Sequence, residues 1–307
     1  MDLRQITYFC KIAEAGSFSA AARELNVAQP ALSHHIGKLE DELGVQLLLR
    51  SIKGTELTDP GKTLYEHGKK ILAQVRAARE DVLQEASVPK GVVSLVLPPM
   101  LGRHVGPQLV RRVRRYLPEV DLELREALGL RAHEMVRTGR CDIGVVATAG
   151  PPDLPGSDLL YREHLYLVRA VDADNPARAA GSITFEAALR HPLVMSRERH
   201  GVRSIVEAVA RVNHLTLDIT LETESSRLLI AYVQQGLAAG ILPWPSIFEQ
   251  LAAGGIVADR IEAGNLMRQV SLISTPGQQL TMGARAVAGE LRKTIAECRE
   301  AGIIRGE

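Results

Sequence analysis

Aromatic residues are scarce in this chain, 4% of 307, with one Trp, four Phe and six Tyr. Cysteine occurs three times, at Cys10, Cys141 and Cys298, far apart and without paired-ligand spacing. That argues against a disulfide framework or a zinc knuckle and favours small buried residues in a reducing compartment. Long apolar runs are also missing. The stretch from Gly236 to Phe248 is interrupted by Pro243 and Pro245, so no membrane span is expected. MDLRQITYFCKIAEAG lacks a basic head followed by a clean apolar core, and a cytoplasmic protein without a signal peptide is expected. An excess of either charge is absent too, the formal net charge being +1. What remains, 46% hydrophobic and 24% charged residues, describes an ordinary globular chain long enough for several domains.

Catalytic patterns are wanting. His133-Glu134 starts a metalloprotease-like motif, but Arg137 stands where its second histidine would be needed. Gly236 and Gly240 have no lysine-bearing phosphate loop around them and read as packing glycines. Asp172 and Asp174 read as solvated loop residues. No cofactor, metal or enzymatic activity is expected.

The richest signal runs from Phe18 to Leu39. Ser17 and Ser19 stand ahead of Ala20-Ala21-Ala22, a capping side chain before residues that coil at little cost, which predicts a helix over Phe18–Leu25. Asn26 tolerates the left-handed turn that follows, Val27 offers an apolar pivot, and Pro30 suits the first turn of a second helix beginning near Gln29. Along that helix Leu32, Ile36, Leu39 and Leu43 make an apolar face, leaving Gln29, Ser33, His34 and Lys38 outward. A first helix over Leu3–Ala15 would turn Leu3, Ile6, Phe9, Cys10 and Ile12 to the core. Together these spell a helix-turn-helix whose second helix suits a DNA major groove. Gln29 matches an adenine edge, Pro30 and Ala31 a thymine methyl, Ser33 base or phosphate, and His34 and Lys38 the backbone. The alternative is an ordinary three-helix cluster with a solvated face.

Leu3, Phe9, Glu14-Ala15-Gly16-Ser17-Phe18, Ala21-Ala22, Leu25, Gln29-Pro30-Ala31-Leu32-Ser33, Ile36, Leu39-Glu40, Leu43-Gly44, Leu47 and Arg50 resemble the amino-terminal signature of LysR-type transcriptional regulators. Two positions depart from it. Ala28 stands where serine is usual, and Leu48 where phenylalanine is. The first removes a possible helix-capping hydroxyl; the second exchanges one core residue for another.

After Gly44, Ile52 to Leu57 reads as two short strands about a glycine turn, a wing. By the resemblance, Arg50, Ser51, Lys53 and Thr58 are phosphate or minor-groove contacts. Over residues 1–58, Arg4, Lys11, Arg23, Lys38, Arg50 and Lys53 face Asp2, Glu14, Glu24, Glu40, Asp41, Glu42 and Glu56, six cations against seven anions. DNA affinity must therefore come from local clustering, helix N-termini and dimerisation.

Thr58-Asp59-Pro60 is a helix start, and Leu64, Ile71, Val75, Ala78 and Val82 form a narrow seam on a helix of about 27 residues, roughly 40 Å long. The resemblance implies antiparallel pairing with another subunit's helix, and hence a homodimer and homotetramer on an interrupted inverted repeat of double-stranded DNA. Beyond Ser87-Val88-Pro89-Lys90-Gly91, strands alternate with helices, which predicts an α/β architecture with a largely parallel sheet. The expected organisation is a winged helix-turn-helix over 1–58, a linker helix over 59–88 and a two-lobed α/β effector domain over 89–300. Lobe I takes about 89–165 and 271–300, and lobe II about 166–270. The resemblance gives this last part the fold of periplasmic solute-binding proteins.

A cleft between such lobes, lined by strand ends and helix N-termini, favours a small anionic effector. Its candidate residues are Pro99, Met100, Gly102, Leu128, Gly129, Thr148, Ser196, Arg197, His200, Arg203, Ser225 and Ser226, with Trp244 nearby. Arg197 or Arg203 would pair a carboxylate, and Ser225 would donate to it or merely cap a helix. Pro98-Pro99, Pro192-Leu193-Val194-Met195 and His200-Gly201-Val202-Arg203 resemble most the nitrogen-assimilation-control branch. That branch usually places serines at Met100 and Gly129, which leaves open a more apolar ligand or regulation without one. The run Arg111, Arg112, Arg114 and Arg115 suits a solvated face, a subunit interface or a second DNA contact. A rival reading of the whole chain is a ligand-binding protein or enzyme of solute-binding fold, with an amino-terminal interaction module that does not touch DNA.

Overall fold

The computed structural model describes residues 1–51, 54–82, 88–150, 157–171, 180–197, 201–263, 266–275 and 279–306. Two compact units emerge. One comprises Met1–Ser87 with Arg137–Arg140 and Gly277–Met282; the other holds Val88–Val136, Cys141–Pro276 and Gly283–Glu307.

In the first unit, helix α1 (Leu3–Ala15) opens with a capping box. The Asp2 carboxylate accepts from the Gln5 amide at 2.8 Å, and the Gln5 side chain accepts from the Asp2 amide at 2.8 Å. Helix α2 (Phe18–Leu25) is capped by Ser17 and closed by Asn26 at φ 57°, the left-handed turn expected there. Helix α3 (Gln29–Leu43) starts at Ala28 with no side-chain cap. The three helices enclose Phe9, Ile12, Leu32, Ile36 and Leu39, all essentially fully buried. Leu3 and Leu43, expected inside, are 47% and 40% exposed because each lies at a helix end, beyond the reach of that core.

The wing differs in placement from the sequence expectation. Its strands are β1 (Leu48–Ser51) and β2 (Gly54–Leu57), antiparallel, with Leu48 opposite Leu57 and Ser51 opposite Gly54. The first strand thus lies upstream of Ile52, and Gly54 opens the second strand instead of making the turn. Gly54 sits at φ +127°, and a Cβ there would stand 2.8 Å from the Gly16 carbonyl oxygen. That oxygen accepts from the Thr55 amide at 2.8 Å, so glycine lets the wing lie against the α1–α2 turn.

Helix α4 (Asp59–Val82) follows. Leu64, Tyr65, Ile71 and Leu72 pack against the helix-turn-helix core. The first half of the expected intersubunit seam is therefore covered by its own chain. α1 and α4 approach closely at Gly68, where a Cβ would meet the Cys10 sulfur at 2.8 Å. Burial pushes the Cys10 thiol up to about 12, so it stays protonated and packs as a small apolar group.

The second unit is built on strands β3 (Lys90–Leu97), β4 (Glu119–Glu126), β5 (Ile143–Thr148), β6 (Asp158–Ala170), β7 (Gly181–Thr184), β8 (Leu193–Ser196), β9 (Ile219–Thr223), β10 (Ala239–Pro243), β11 (Ile256–Glu262) and β12 (Met267–Ser274). Helices α5 (Pro99–Tyr116), α6 (Gly129–Arg137), α7 (Phe185–Ala188), α8 (Val202–Val212), α9 (Ser226–Gln234), α10 (Phe248–Ala252) and α11 (Met282–Glu300) complete it, with a 3-10 turn at Trp244–Ser246. The main strand order is β4-β3-β5-β12-β6-β10-β8-β9, with β11 paired to β6 and β7. Within each lobe the βαβ pairs β3–β4 and β8–β9 are parallel, as predicted. β6 belongs to both lobes. Its residues from Asp158 to His164 pair with β12, and those from Leu165 onward pair with β10 and β11. The returning strand begins at Met267, opposite His164, a few residues upstream of 271, where lobe I was expected to resume.

Candidate nucleic-acid interface and effector cleft

α3 projects the residues the sequence singled out. Leu32, Ile36 and Leu39 are buried, which rotates Gln29, Pro30, Ala31, His34 and Lys38 to solvent and leaves Ser33 half-buried. Ser19 is exposed and, with Arg23, Asn26 and Gln29, lines an open groove at the α2–α3 turn. From the sequence Asn26 reads only as a turn residue and Arg23 only as one of the cations, neither as part of the interface. Ser17 is partly spent as a cap, its hydroxyl accepting from the Ala20 amide at 3.5 Å. Thr58 is also structural. Its hydroxyl donates to the Gln46 carbonyl at 2.7 Å and accepts from the Gly61 amide at 3.0 Å. Arg50 lies in β1 opposite Thr55, and Lys53 falls outside the described residues.

The near-neutral charge count conceals an asymmetry. Glu14 is held by Lys69 at 2.8 Å and Lys11 at 3.6 Å, Glu24 by Lys11 at 3.1 Å, and Glu42 by the terminal amine. Burial works to raise the Glu14 carboxyl, but the Lys69 and Lys11 ammonium groups and the Tyr65 hydroxyl hold it below its ordinary value. Arg23 and Lys38, by contrast, have no carboxylate partner among the described residues, so their charge is free for phosphates.

The second unit contains a cavity of about 400 Å³ at the carboxyl ends of its strands. Pro99, Met100, Leu128, Gly129, Ser196, Arg203 and Ser226 line it, as expected. Gly102 does not, being inside α5 with its amide bonded to the Pro98 carbonyl and its Cα facing Glu126. Thr148 turns its hydroxyl to the Gly150 carbonyl. Arg197 is exposed and borders a separate depression with Glu222, Thr223 and Glu224. Ser225 caps α9, its hydroxyl accepting from the Leu228 amide at 3.4 Å. His200 falls outside the described residues. Trp244 is buried away from the cavity, its indole N–H donating to the Gly302 carbonyl at 2.9 Å with the Arg305 guanidinium 3.6 Å above its ring.

Arg203 needs a correction of role. It is 8% exposed, and its guanidinium donates to Glu207 at 2.8 Å, to the Ser196 carbonyl at 2.8 Å and to Glu222 at 2.5 Å. The Glu207 and Glu222 carboxylates raise its pKa further. Such a group braces the end of β8 and is not available to clamp a ligand.

Sequence reasoning missed the polar floor. Glu163 on β6 and Arg268 on β12 stand directly opposite in register, and both line the cavity. Glu163 is 1% exposed. Tyr161 lies nearby, its hydroxyl pKa pushed well up by burial and then by the Glu163 carboxylate. Arg131, exposed at the start of α6, adds a cation without a carboxylate partner among the described residues. The arginine run on α5 is also divided. Arg112 pairs with Glu290 at 2.8 Å and with Glu297, while Arg111, Arg114 and Arg115 are exposed.

A helix-turn-helix with an exposed second helix, and a cleft set at strand ends, are matched by two family models. Residues 3–62 fit the bacterial regulatory helix-turn-helix protein, lysR family, and residues 86–296 fit the LysR substrate binding domain. The chain belongs to the LysR family. It is 32% identical over 288 residues to the nitrogen assimilation regulatory protein nac of Klebsiella aerogenes, covering 94% of this chain and 93% of that protein. A full-length OxyR variant from Pseudomonas aeruginosa superposes with a TM-score of 0.77 at 25% identity, covering 96% of this chain and 94% of that one. CbnR in complex with its target DNA shares the fold, with a TM-score of 0.59 at 23% identity over 97% of this chain and 99% of that one. This LysR protein is a DNA-binding transcriptional regulator with an effector-binding domain, not an enzyme, and regulators of its type bind DNA and oligomerise. The rival reading, a solute-binding protein with an inert amino-terminal module, is not favoured.

Proposed function

We propose that this LysR regulator acts in the cytoplasm as a homodimer that pairs into a tetramer, reading an interrupted inverted repeat with one α3 per half-site. The observation that carries the reading is the division of α3 into a buried face, Leu32, Ile36 and Leu39, and an exposed amino-terminal turn bearing Gln29, Pro30 and Ala31. Exposed short side chains at a helix start are what a major groove admits. Gln29 addresses a base edge, Ala31 a thymine methyl, and Ser19, Ser33, His34, Lys38, Arg50 and Lys53 the flanking backbone. Dimerisation falls to the part of α4 beyond the helix-turn-helix core, where Val75 is half-buried and Ala78 exposed. A small effector in the cleft shifts the lobes and, through subunit packing, the DNA between half-sites; its leverage is its difference in affinity for two assemblies. The relative named for nitrogen assimilation makes nitrogen-source operons the first place to look for targets.

The deciding experiment is a genome-wide map of occupancy in the host. Sharp peaks over inverted repeats, one of them near the protein's own gene, are expected; a folded protein without sequence-dependent peaks contradicts the reading. Gln29→Ala is expected to lower discrimination at one base position by about 1–3 kcal/mol while leaving nonspecific binding nearly intact, as read by competition binding on single-base variants. Uniform weakening on every sequence would assign Gln29 a different role. Val75→Glu is expected to shift the sedimentation coefficient toward the monomer, because a carboxylate would be placed in the uncovered half of the seam.

A further inference from the structure

The pairing of Glu163 with Arg268 is lopsided. A guanidinium facing a carboxylate ordinarily spreads two donors over two oxygens. Here both donors converge on one oxygen: Arg268 Nε donates to Glu163 Oε1 at 2.9 Å, and Nη2 donates to the same atom. Glu163 Oε2 is buried and has no hydrogen-bond partner among the described residues. A buried charged oxygen left unmet is costly, and Glu163 lines the cavity. Met100, Leu128, Met195, Leu229 and Ile241 make much of the surrounding wall apolar, and none of the hydroxyls that also line it, Tyr161, Ser226 and Ser246 among them, bonds to Oε2.

We infer that the effector of this cleft carries a hydrogen-bond donor, a hydroxyl or an N–H, that meets Glu163 Oε2, on an apolar body with an acidic end. The inference rests on the cleft being the effector site and adds the ligand's chemical class. Arg131 and the amino termini of α5 and α8, where Pro98 and Gly201 provide no side-chain cap, receive the acidic end. A second carboxylate in place of the donor would face the Glu163 oxygen and be repelled, which separates hydroxy and amino acids from diacids. Location adds consequence. Glu163 and Arg268 sit on the two strands that join the lobes, immediately before β6 passes from one lobe to the other. A donor on Oε2 therefore acts on the hinge itself, not only on one wall.

The test uses the full-length protein and four matched probes: hexanoate, 6-hydroxyhexanoate, 6-aminohexanoate and adipate. Calorimetry gives affinity, and hydrogen exchange of residues 98–102 and 161–164 reports the place. The hydroxy and amino acids are expected to bind at least tenfold more tightly than hexanoate, with adipate weakest. In Glu163→Gln the amide oxygen still accepts from Arg268 while its NH2 replaces Oε2, so the order should invert, adipate gaining and 6-aminohexanoate losing. Protection of the cleft with hexanoate equal to the donor-bearing acids overturns this inference alone and leaves the effector reading standing. Absence of protection by all four overturns both. Should Glu163→Gln fail to fold, the ranking on the unmodified chain still decides.

Discussion

Gly61→Ala is expected to cost about 3 kcal/mol or more and to abolish specific DNA binding. A Cβ at this position would lie 2.0 Å from the Leu47 carbonyl oxygen, 3.0 Å from its carbon and 3.2 Å from Leu57 Cδ2. Backbone cannot swing aside as a flexible side chain can. The Leu47 oxygen already accepts from the Thr58 amide at 3.0 Å, and the Thr58 hydroxyl bridges the Gln46 carbonyl and the Gly61 amide. Forcing α4 away from β1 would break that joint and uncover Leu47 and Leu48, now 1% and 3% exposed. Gly37 on α3 is the control, because a Cβ there meets nothing within 4 Å. Gly37→Ala should stabilise by about 0.5–1 kcal/mol through helix propensity alone. Urea unfolding with DNA binding measured in parallel checks both, and identical melting of Gly61→Ala and the unmodified chain would contradict the packing described.

Arg203→Met is the second large effect, about 2–3 kcal/mol. Removing one member of a buried ion pair ordinarily costs about 3–5 kcal/mol, but the Glu222 side chain is 41% exposed and solvent screens part of the loss. Two carboxylates, Glu207 and Glu222, would be left near the Ser196 carbonyl with no cation between them. A double-mutant cycle with Glu222→Gln, read by thermal melts, tests this: coupling between the two positions is expected, and its absence would mean that Arg203 contributes only packing.

The amino-terminal helices were legible because their boundaries are written in short-range chemistry. Ser17, Asn26 and Pro30 act on backbone atoms within four residues, and the predicted spans of α1 and α2 match the structure. The wing was displaced because Gly54 invites a turn, whereas its function is to clear the Gly16 carbonyl, a contact remote in sequence. In the second unit β7 and β11 are not announced by their residues, since GSIT and IVADRIE carry weak or mixed patterning. The cleft lining was half legible. Proline and glycine at strand ends pointed to Pro99, Leu128 and Gly129, yet Ser225 and Arg203 turned out to serve the fold. The Glu207 partner at helical spacing from Arg203 was visible in the sequence; Glu222 was not. Glu163 escaped because nothing in YREHLYLV reveals that this carboxylate faces Arg268 from a strand more than a hundred positions later.

The strand order has a cost during synthesis. β5 is flanked by β3 and β12, so its second neighbour leaves the ribosome only after the whole of lobe II. At about 5–20 residues per second, β5 waits roughly six to twenty-five seconds with one hydrophobic edge unpaired. Nascent lobe I is a natural client for a chaperone in that interval.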